Sequence, residues 1–434
     1  MTKKQDHRIA FELCNRFKLD TKSVCIIVED NKEAKLLKNE LDLYLNKFEI
    51  DYFPENEILP YDHFSIPQNI LKERFRILNS EDNHNKILIS TVKNLFEIYP
   101  TIDFFKSVNR FSIGDTLSIS SLEGILSSLN YKKVNRIESI NEYSFRGGIV
   151  DIYTPIYKNP LRIEIFDDKI ESIRLFNPES QLSIETINHF NLSKGSIQSL
   201  DKNSLKIFKD NWREYFQDND ERYCEIFQKL NKNELAEGSE IYLPLFFNKT
   251  SDFFDLFKSY EFIKASNFSI LLKGYKEFID ERYSDENIDS QRPILKPSDM
   301  FTDVSLIKDK LENASLLSIS NKYEDFLYNN FDEVMDEKSI DNINVKVFLT
   351  SINSQYESLL EKYLPNVKQI NQIDNAEPGI NIMMSPVIRP LIVDNILVAH
   401  REFFTNTSEE ILHQTRHHHN CLLYTSDAAD DALS

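Results

Sequence analysis

Glycine is scarce in this 434-residue chain, with eight residues at positions 114, 124, 147, 148, 195, 238, 274 and 379. A phosphate-cradling loop needs two glycines five apart, then Lys-Ser/Thr, so that backbone N–H groups can close on the phosphates. No pair has that spacing, which excludes a Walker loop and, from the same positions, a dinucleotide fingerprint. The four cysteines, Cys14, Cys25, Cys224 and Cys421, show no paired spacing, so neither a disulfide framework nor a zinc site is expected and a reducing cytoplasm fits best. Of the nine histidines, those at 7, 63, 84, 189, 400 and 413 are scattered and His417–His419 lie in the suspect tail, and no Gly-x-Ser-x-Gly elbow offers a hydrolase nucleophile. No catalytic, cofactor or metal residue is assigned. No apolar run approaches a membrane span, and Met1–His7 is polar. Positive charge is also short. A net charge of −19 disfavours a surface that grips nucleic acid without sequence preference, although a local basic patch stays open.

What is present is ordinary globular composition, 41% hydrophobic, in a length that holds two to four domains. Val24–Val28 reads as a buried strand, Glu33–Phe48 as a helix with Ala34, Leu37, Leu41, Leu45 and Phe48 at helical spacing, and Ile50–Phe53 as a strand. Ile70–Leu78 reads as helix, Lys86–Ser90 as strand and Val92–Ile98 as helix, an alternation that suggests a doubly wound parallel sheet. From Arg110 to about Gly195 strands follow closely around one helix, Leu122–Leu129, which makes a small α+β unit. Long mixed helices return from Leu200 to about Lys310, including Leu205–Phe216 and the aromatic Phe254–Phe262. Tyr323–Asn342 reads as a linker. A small α/β domain follows, with Val345–Leu349, Gln355–Tyr363, Ile380–Met384 and Leu391–Val398 as its elements. The tail Cys421–Asp430 resembles a translated sequencing adapter and is set aside from the fold.

The most informative stretch runs from Phe145-Arg146-Gly147-Gly148 through Leu161–Phe176. In Leu161–Phe166 a period of two sends Leu161, Ile163 and Ile165 one way and Arg162, Glu164 and Phe166 the other. An apolar ring beside a fork-shaped cation on the outer face is what a protein-docking surface needs. Parity does not place Arg146, because Gly147-Gly148 could bulge the strand and switch its facing. The bland alternatives are a surface ion pair of Arg162 with Glu164 or Asp167, a Phe166 ring folded under a loop, and a solvated Arg174. Asp167-Asp168 reads as a turn. In Glu55–Gln68, Tyr61, Asp62, His63 and Phe64 interleave rings with acid. The only nearby cations are Lys72, Arg74 and Arg76, so packing between helix and sheet is favoured over nucleic-acid stacking.

An ordered set of segments then carries a resemblance over roughly Ile9 to Arg401. It comprises Leu59–Gln68 with Glu73-Arg74, the Arg146–Phe176 strands, Trp212-Arg213 with Phe216, Pro244-Leu245-Phe246-Phe247 and Arg292-Pro293-Ile294-Leu295. Together these resemble the N-terminal half of the bacterial transcription-repair coupling factors (Mfd), whose early domains are similar to the excision-repair subunit UvrB. The missing Walker loop and the direct run of Tyr61–Gln68 into a helix, with no room for a long tyrosine-rich hairpin, match the coupling factors rather than UvrB.

The resemblance implies an α/β fold: a degenerate RecA/helicase-like (UvrB-like) domain at 1–109 and 196–322, with an inserted UvrA-binding α+β domain at 110–195. A linker at 323–343, a small α/β domain at 344–405 and a truncated end at 406–434 follow. It implies that Arg146, Arg162 and Phe166 bind UvrA. RNA polymerase, double-stranded DNA, ATP and magnesium are expected only through motor and polymerase-binding domains beyond this chain. The intact family would use ATP-driven translocation to displace stalled polymerase, and would mask the UvrA surface at rest with its C-terminal domain. The other classes are a stand-alone UvrA-binding adaptor and, against the glycine positions, a UvrB-type ATPase.

Overall fold

The computed structural model describes residues 23–316 apart from 46–47, 81–85, 107–108, 199, 218–220, 233, 235, 266 and 287–291, and then 345–350, 367–370, 373–384, 391–393 and 396–400. The chain divides into two compact units, one of Lys22–Ala34 with Asp51–Leu317 and one of Met1–Thr21, Lys35–Ile50 and Ser318–Ser434. The expected linker Tyr323–Asn342, the helix Gln355–Tyr363 and the adapter-like tail lie outside the described residues.

The apolar run β1 (Val24–Val28) is buried at every position, as a strand covered on both faces must be. α1 (Asn31–Tyr44) follows it, ending before the expected Phe48. Next come β2 (Glu49–Tyr52), α2 (Gln68–Asn79) and β3 (Lys86–Thr91). The helix expected at Val92–Ile98 is only a 3-10 turn over Lys93–Leu95. Pro100 pushes Tyr99 out of helical backbone, and the Asn94 side chain donates to Phe53 O and Ser90 Oγ, each at 3.0 Å.

The inserted unit opens with β4 (Asn109–Ser112), α3 (Ile119–Ser128), β5 (Glu142–Arg146) and β6 (Ile149–Ile152). It continues with β7 (Leu161–Phe166), β8 (Lys169–Phe176), β9 (Ser183–Thr186) and β10 (His189–Leu192). β4 and β10 pair antiparallel, His189 with Ser112 and Leu192 with Asn109, so the insertion leaves and returns through one two-stranded neck. Its sheet runs β9-β8-β7-β6-β5, with the short strand Lys132–Lys133 on the far edge.

The chain then re-enters the first layer through α4 (Lys202–Tyr215) and α5 (Glu225–Asn231). The aromatic segment read as helix over Phe254–Phe262 instead splits. Phe253–Leu256 is one helical turn, and β11 (Glu261–Lys264) enters the sheet parallel to β1. α6 (Phe268–Glu286), α7 (Val304–Lys310) and β12 (Ser315–Leu316) complete an order β12-β11-β1-β3-β2. In the smaller unit β13 (Val345–Thr350), β14 (Val367–Gln369), β15 (Gly379–Met384), β16 (Leu391–Val393) and β17 (Ile396–His400) form a second sheet. β13 lies parallel between β15 and β17, and the single strand expected at Leu391–Val398 is two, β16 and β17, paired antiparallel.

Outside the inserted strands, the segments that carried the resemblance meet in the core of the first layer. Trp212 is in ring contact with Phe208, Phe216, Phe227 and Tyr242. Tyr242 donates to Pro293 O at 2.8 Å, and Asn211 donates to Leu245 O at 3.0 Å. Arg74 is buried there too. Its Nε donates to Pro54 O at 3.0 Å, and its guanidinium forks onto Glu97 at 2.6 and 2.9 Å with Asn94 as a further acceptor. Burial works against its charge, but Glu97 outweighs it and the Arg74 pKa lies above the ordinary arginine value.

Removing one member of a buried pair strands the other. Arg74→Met is therefore expected to cost about 3–5 kcal/mol in urea denaturation, and a loss under about 1 kcal/mol would contradict the pairing. A second constraint sits in the β5–β6 turn. Gly147 has a φ of +62°, and a Cβ on Gly148 would lie 2.6 Å from the Ile165 carbonyl oxygen. Gly148→Ala must push β7 aside and should cost about 1–3 kcal/mol by the same assay.

Candidate protein-docking surface

The six-stranded sheet has a covered face and an outer face. α3 brings Leu122 and Leu126 onto Val150, Ile152, Leu161, Ile163, Ile165, Ile170 and Ile173, all buried in one cluster. Registers fix what the outer face carries. Arg146 opposes Ile149 and Ser144 opposes Asp151 across β5–β6. Asp151 opposes Arg162 and Ile149 opposes Glu164 across β6–β7, and Arg162 opposes Arg174 across β7–β8. Arg146 and Ile149 flank a two-residue turn, so Gly147-Gly148 does not switch the strand's facing. Arg146, Asp151, Arg162, Glu164, Phe166 and Arg174 share one side by alternation.

Asp151 is the centre of this face. It is 1% exposed, and both its oxygens accept from guanidinium groups. Arg162 donates from Nε to Oδ1 at 2.7 Å and from Nη2 to Oδ2 at 2.9 Å, and Arg146 donates from Nη2 to Oδ2 at 2.8 Å. Arg162 Nη2 also donates to Gln181 Oε1 at 2.9 Å, and its guanidinium carbon lies 4.2 Å from the centroid of the buried Phe176 ring. The hydrogen bonds to Asp151 hold the Arg162 pKa above its ordinary value, against partial desolvation. The two arginines are not equivalent, since the side chain of Arg146 is 53% exposed and that of Arg162 only 17%.

Phe166 is 75% exposed, not folded under a loop. Asp167 and Asp168, with φ of 49° and 55°, form the two-residue turn after it, the backbone a primed hairpin turn requires. The surface pairing expected for Arg162 is different in kind. Its partner is the buried Asp151, and Glu164 pairs with Arg174 instead. Arg174 is accordingly not a solvated charge, and its Nε is buried. The residues that sequence reasoning missed are Asp151, Phe176 and Gln181. The available signal was a lone carboxylate within Ile149-Val150-Asp151-Ile152, which no solvated strand face demands.

Two other places bear on function. In the aromatic loop, Tyr61 is buried and in ring contact with Tyr283 and Phe301, as a packing role requires, but Phe64 is 63% exposed. The three cations near it in sequence are engaged elsewhere, Lys72 with Tyr153 Oη and Lys158 O, Arg74 with Glu97, and Arg76 with Asp51 and Glu73, while Arg282 is brought to the loop by the fold and bonds Pro60 O and Asp62. At the β1–α1 turn, where a motor domain would hold phosphate, Asp30 Oδ1 accepts from Glu33 N and Glu33 Oε2 accepts from Glu29 N, each at 2.8 Å. Asp30 thus caps the Glu33 N–H of that helix start, and Glu33 reaches back to the N–H of Glu29 ahead of the helix. Among the described residues no three His, Cys, Asp or Glu side chains gather in a metal-holding arrangement, and no helix is long and apolar enough to cross a membrane.

Residues 110–196 match the UvrB interaction domain. The chain is 27% identical over 292 residues to the transcription-repair-coupling factor of Haemophilus influenzae, covering 66% of this chain and 25% of that protein. It is 26% identical over 307 residues to that of Escherichia coli, covering 69% and 26%. It is 25% identical over 437 residues to that of Rickettsia conorii, covering 93% and 38%. The chain thus spans from a quarter to under two-fifths of the length of these relatives. The UvrB interaction domain match falls on the inserted unit, and the chain is similar to the transcription-repair-coupling factors over 66% to 93% of its own length.

Proposed function

We propose that this chain recruits UvrA through the outer face of its inserted sheet, with Arg146, Arg162 and Phe166 as the docking residues, in transcription-coupled nucleotide excision repair. The observation that carries the reading is Phe166. A ring three-quarters exposed at the end of a strand, sharing its face with two arginines anchored on one carboxylate, has no use in the fold of the insertion itself. Partners rich in buried aromatic and arginine anchors are the usual users of such a surface.

The remaining activity of the relatives, ATP-driven translocation on double-stranded DNA that displaces stalled RNA polymerase, is assigned to domains outside this chain. The β1–α1 turn supports that division. The Glu33 N–H of that helix start is already taken by Asp30, and the charges of Glu29, Asp30 and Glu33 repel a triphosphate. No cofactor is assigned here, and the chain acts as a cytoplasmic adaptor rather than as an enzyme.

Titrating UvrA against the 434-residue chain tests the docking assignment. Phe166→Ala and Arg146→Ala should each weaken binding by about 2 kcal/mol or more while circular dichroism stays unchanged. Wild-type affinity in folded variants removes the assignment. Calorimetry with Mg-ATP should show no binding, and a measurable affinity would favour a UvrB-type ATPase.

A further inference from the structure

Because Arg146 and Arg162 share Asp151 yet differ in exposure, the face separates into groups that can touch a partner and groups that cannot. Arg162 spends Nε and Nη2 on Asp151 and Gln181, has one flat side on Phe176, and leaves only Nη1 uncommitted. Arg146 commits a single Nη2 contact and is half exposed. A ledger of charge within the triad, two guanidinium groups and one carboxylate, leaves one net positive charge, and Arg146 is where it reaches solvent. Phe166 lies on the same face, two strands across from Arg146 and one residue pair along, a separation of roughly 12 Å from strand spacing and rise. One partner surface of ordinary size spans that distance.

We propose that Arg146 and Phe166 are the contacts, meeting a partner carboxylate and an apolar pocket respectively. Asp151 and Arg162 then act behind them as positioning residues that fix the Arg146 fork before binding. The inference rests on the docking reading and refines it. It moves Arg162 from the contact set to the support, and it adds Asp151, an acidic residue in an interface otherwise described by its cations. The physical gain is preorganisation. A guanidinium already held by a buried carboxylate loses less rotamer freedom when it binds than a free one does.

The test is a double-mutant cycle on UvrA binding by the full chain, with melting temperature and circular dichroism recorded for each variant. Arg146→Ala should weaken binding about thirtyfold or more and flatten its salt dependence, because the pair it removes is exposed to ionic screening. Phe166→Ala should weaken binding without changing the salt slope. Asp151→Asn should weaken binding nearly as much as Arg146→Ala, yet add less than about twofold in the Arg146→Ala background, since its effect passes through that side chain.

If Asp151→Asn multiplies the loss by its full factor in that background, or leaves affinity at the wild-type value, the positioning role is overturned. A variant with Arg162→Lys keeps the charge and drops the fork, and supplies the same cycle should Asp151→Asn fail to fold. Support requires that Arg162→Lys also be non-additive with Arg146→Ala, and additivity would make Arg162 a contact. Wild-type binding by both Arg146→Ala and Phe166→Ala would overturn the docking reading itself, an outcome distinct from failure of the cycle.

Discussion

Strand alternation, held in register by two tight turns, is the constraint from which the docking face follows. Gly147-Gly148 joins β5 to β6, and Asp167-Asp168 joins β7 to β8, each with two residues between paired positions. A slip of one residue in either hairpin would carry Arg162, Glu164 and Phe166 into the cluster under α3 and bring Ile163 and Ile165 out. The turn chemistry prevents this. Gly147 takes a positive φ at no steric cost, Asp167 and Asp168 are among the few residues that tolerate it, and Gly148 admits the Ile165 carbonyl where any side chain would collide. The surface chemistry of the domain is therefore set by residues that take no part in it.

The same register buries a carboxylate between two strands that each bring an arginine. In isolation, such a charge would be costly to desolvate, and its removal by a well-packed apolar replacement could leave the domain as stable or more so. What an apolar replacement cannot supply is direction. Asp151 accepts from both arginines, Arg162 lies over the buried Phe176 ring, and Gln181 accepts a further bond from Arg162. A buried ion pair of this kind is better explained by specificity than by stability, in contrast to Arg74–Glu97. That pair lies among the rings of Phe53 and Tyr99 in the first layer and ties α2 to the segment after β3.

Much of this was legible in the sequence where periodicity was strong. The fully apolar Val24–Val28, the alternation of Leu161–Phe166 and the helical spacing in Ile70–Leu78 were realised as strand, strand and helix. The failures share a cause. Phe254–Phe262 carries aromatics so densely that neither period stands out, and the chain uses them for one helical turn and then strand β11 beside β1. Val92–Ile98 has helical spacing, but a proline follows it and Asn94 prefers to bind Phe53 and Ser90. Arg162 and Phe166 could be placed on one face from parity within a single strand. Arg146 and Asp151 could not, because their facing depends on how many residues the β5–β6 turn consumes and on which residues then pair. Cross-strand register is a property of two segments and a turn, and one sequence does not print it.

The first layer bears on why such a surface is inserted where it is. Its sheet has the parallel order and β1–α1 connection on which nucleotide sites are commonly built, yet the turn presents Glu29, Asp30 and Glu33 in place of a glycine loop. Asp30 caps the Glu33 N–H of that helix start, so this N–H needs no bound anion as a partner. This layer carries the insertion. The paired neck of β4 and β10, the Lys72 contacts to Tyr153 and Lys158, and the Lys194 ammonium 3.9 Å over the Phe104 ring hold the insertion to it at several points. A docking face carried on a rigid support loses little entropy on binding, which is the same economy that Asp151 applies, one scale down, to a single arginine.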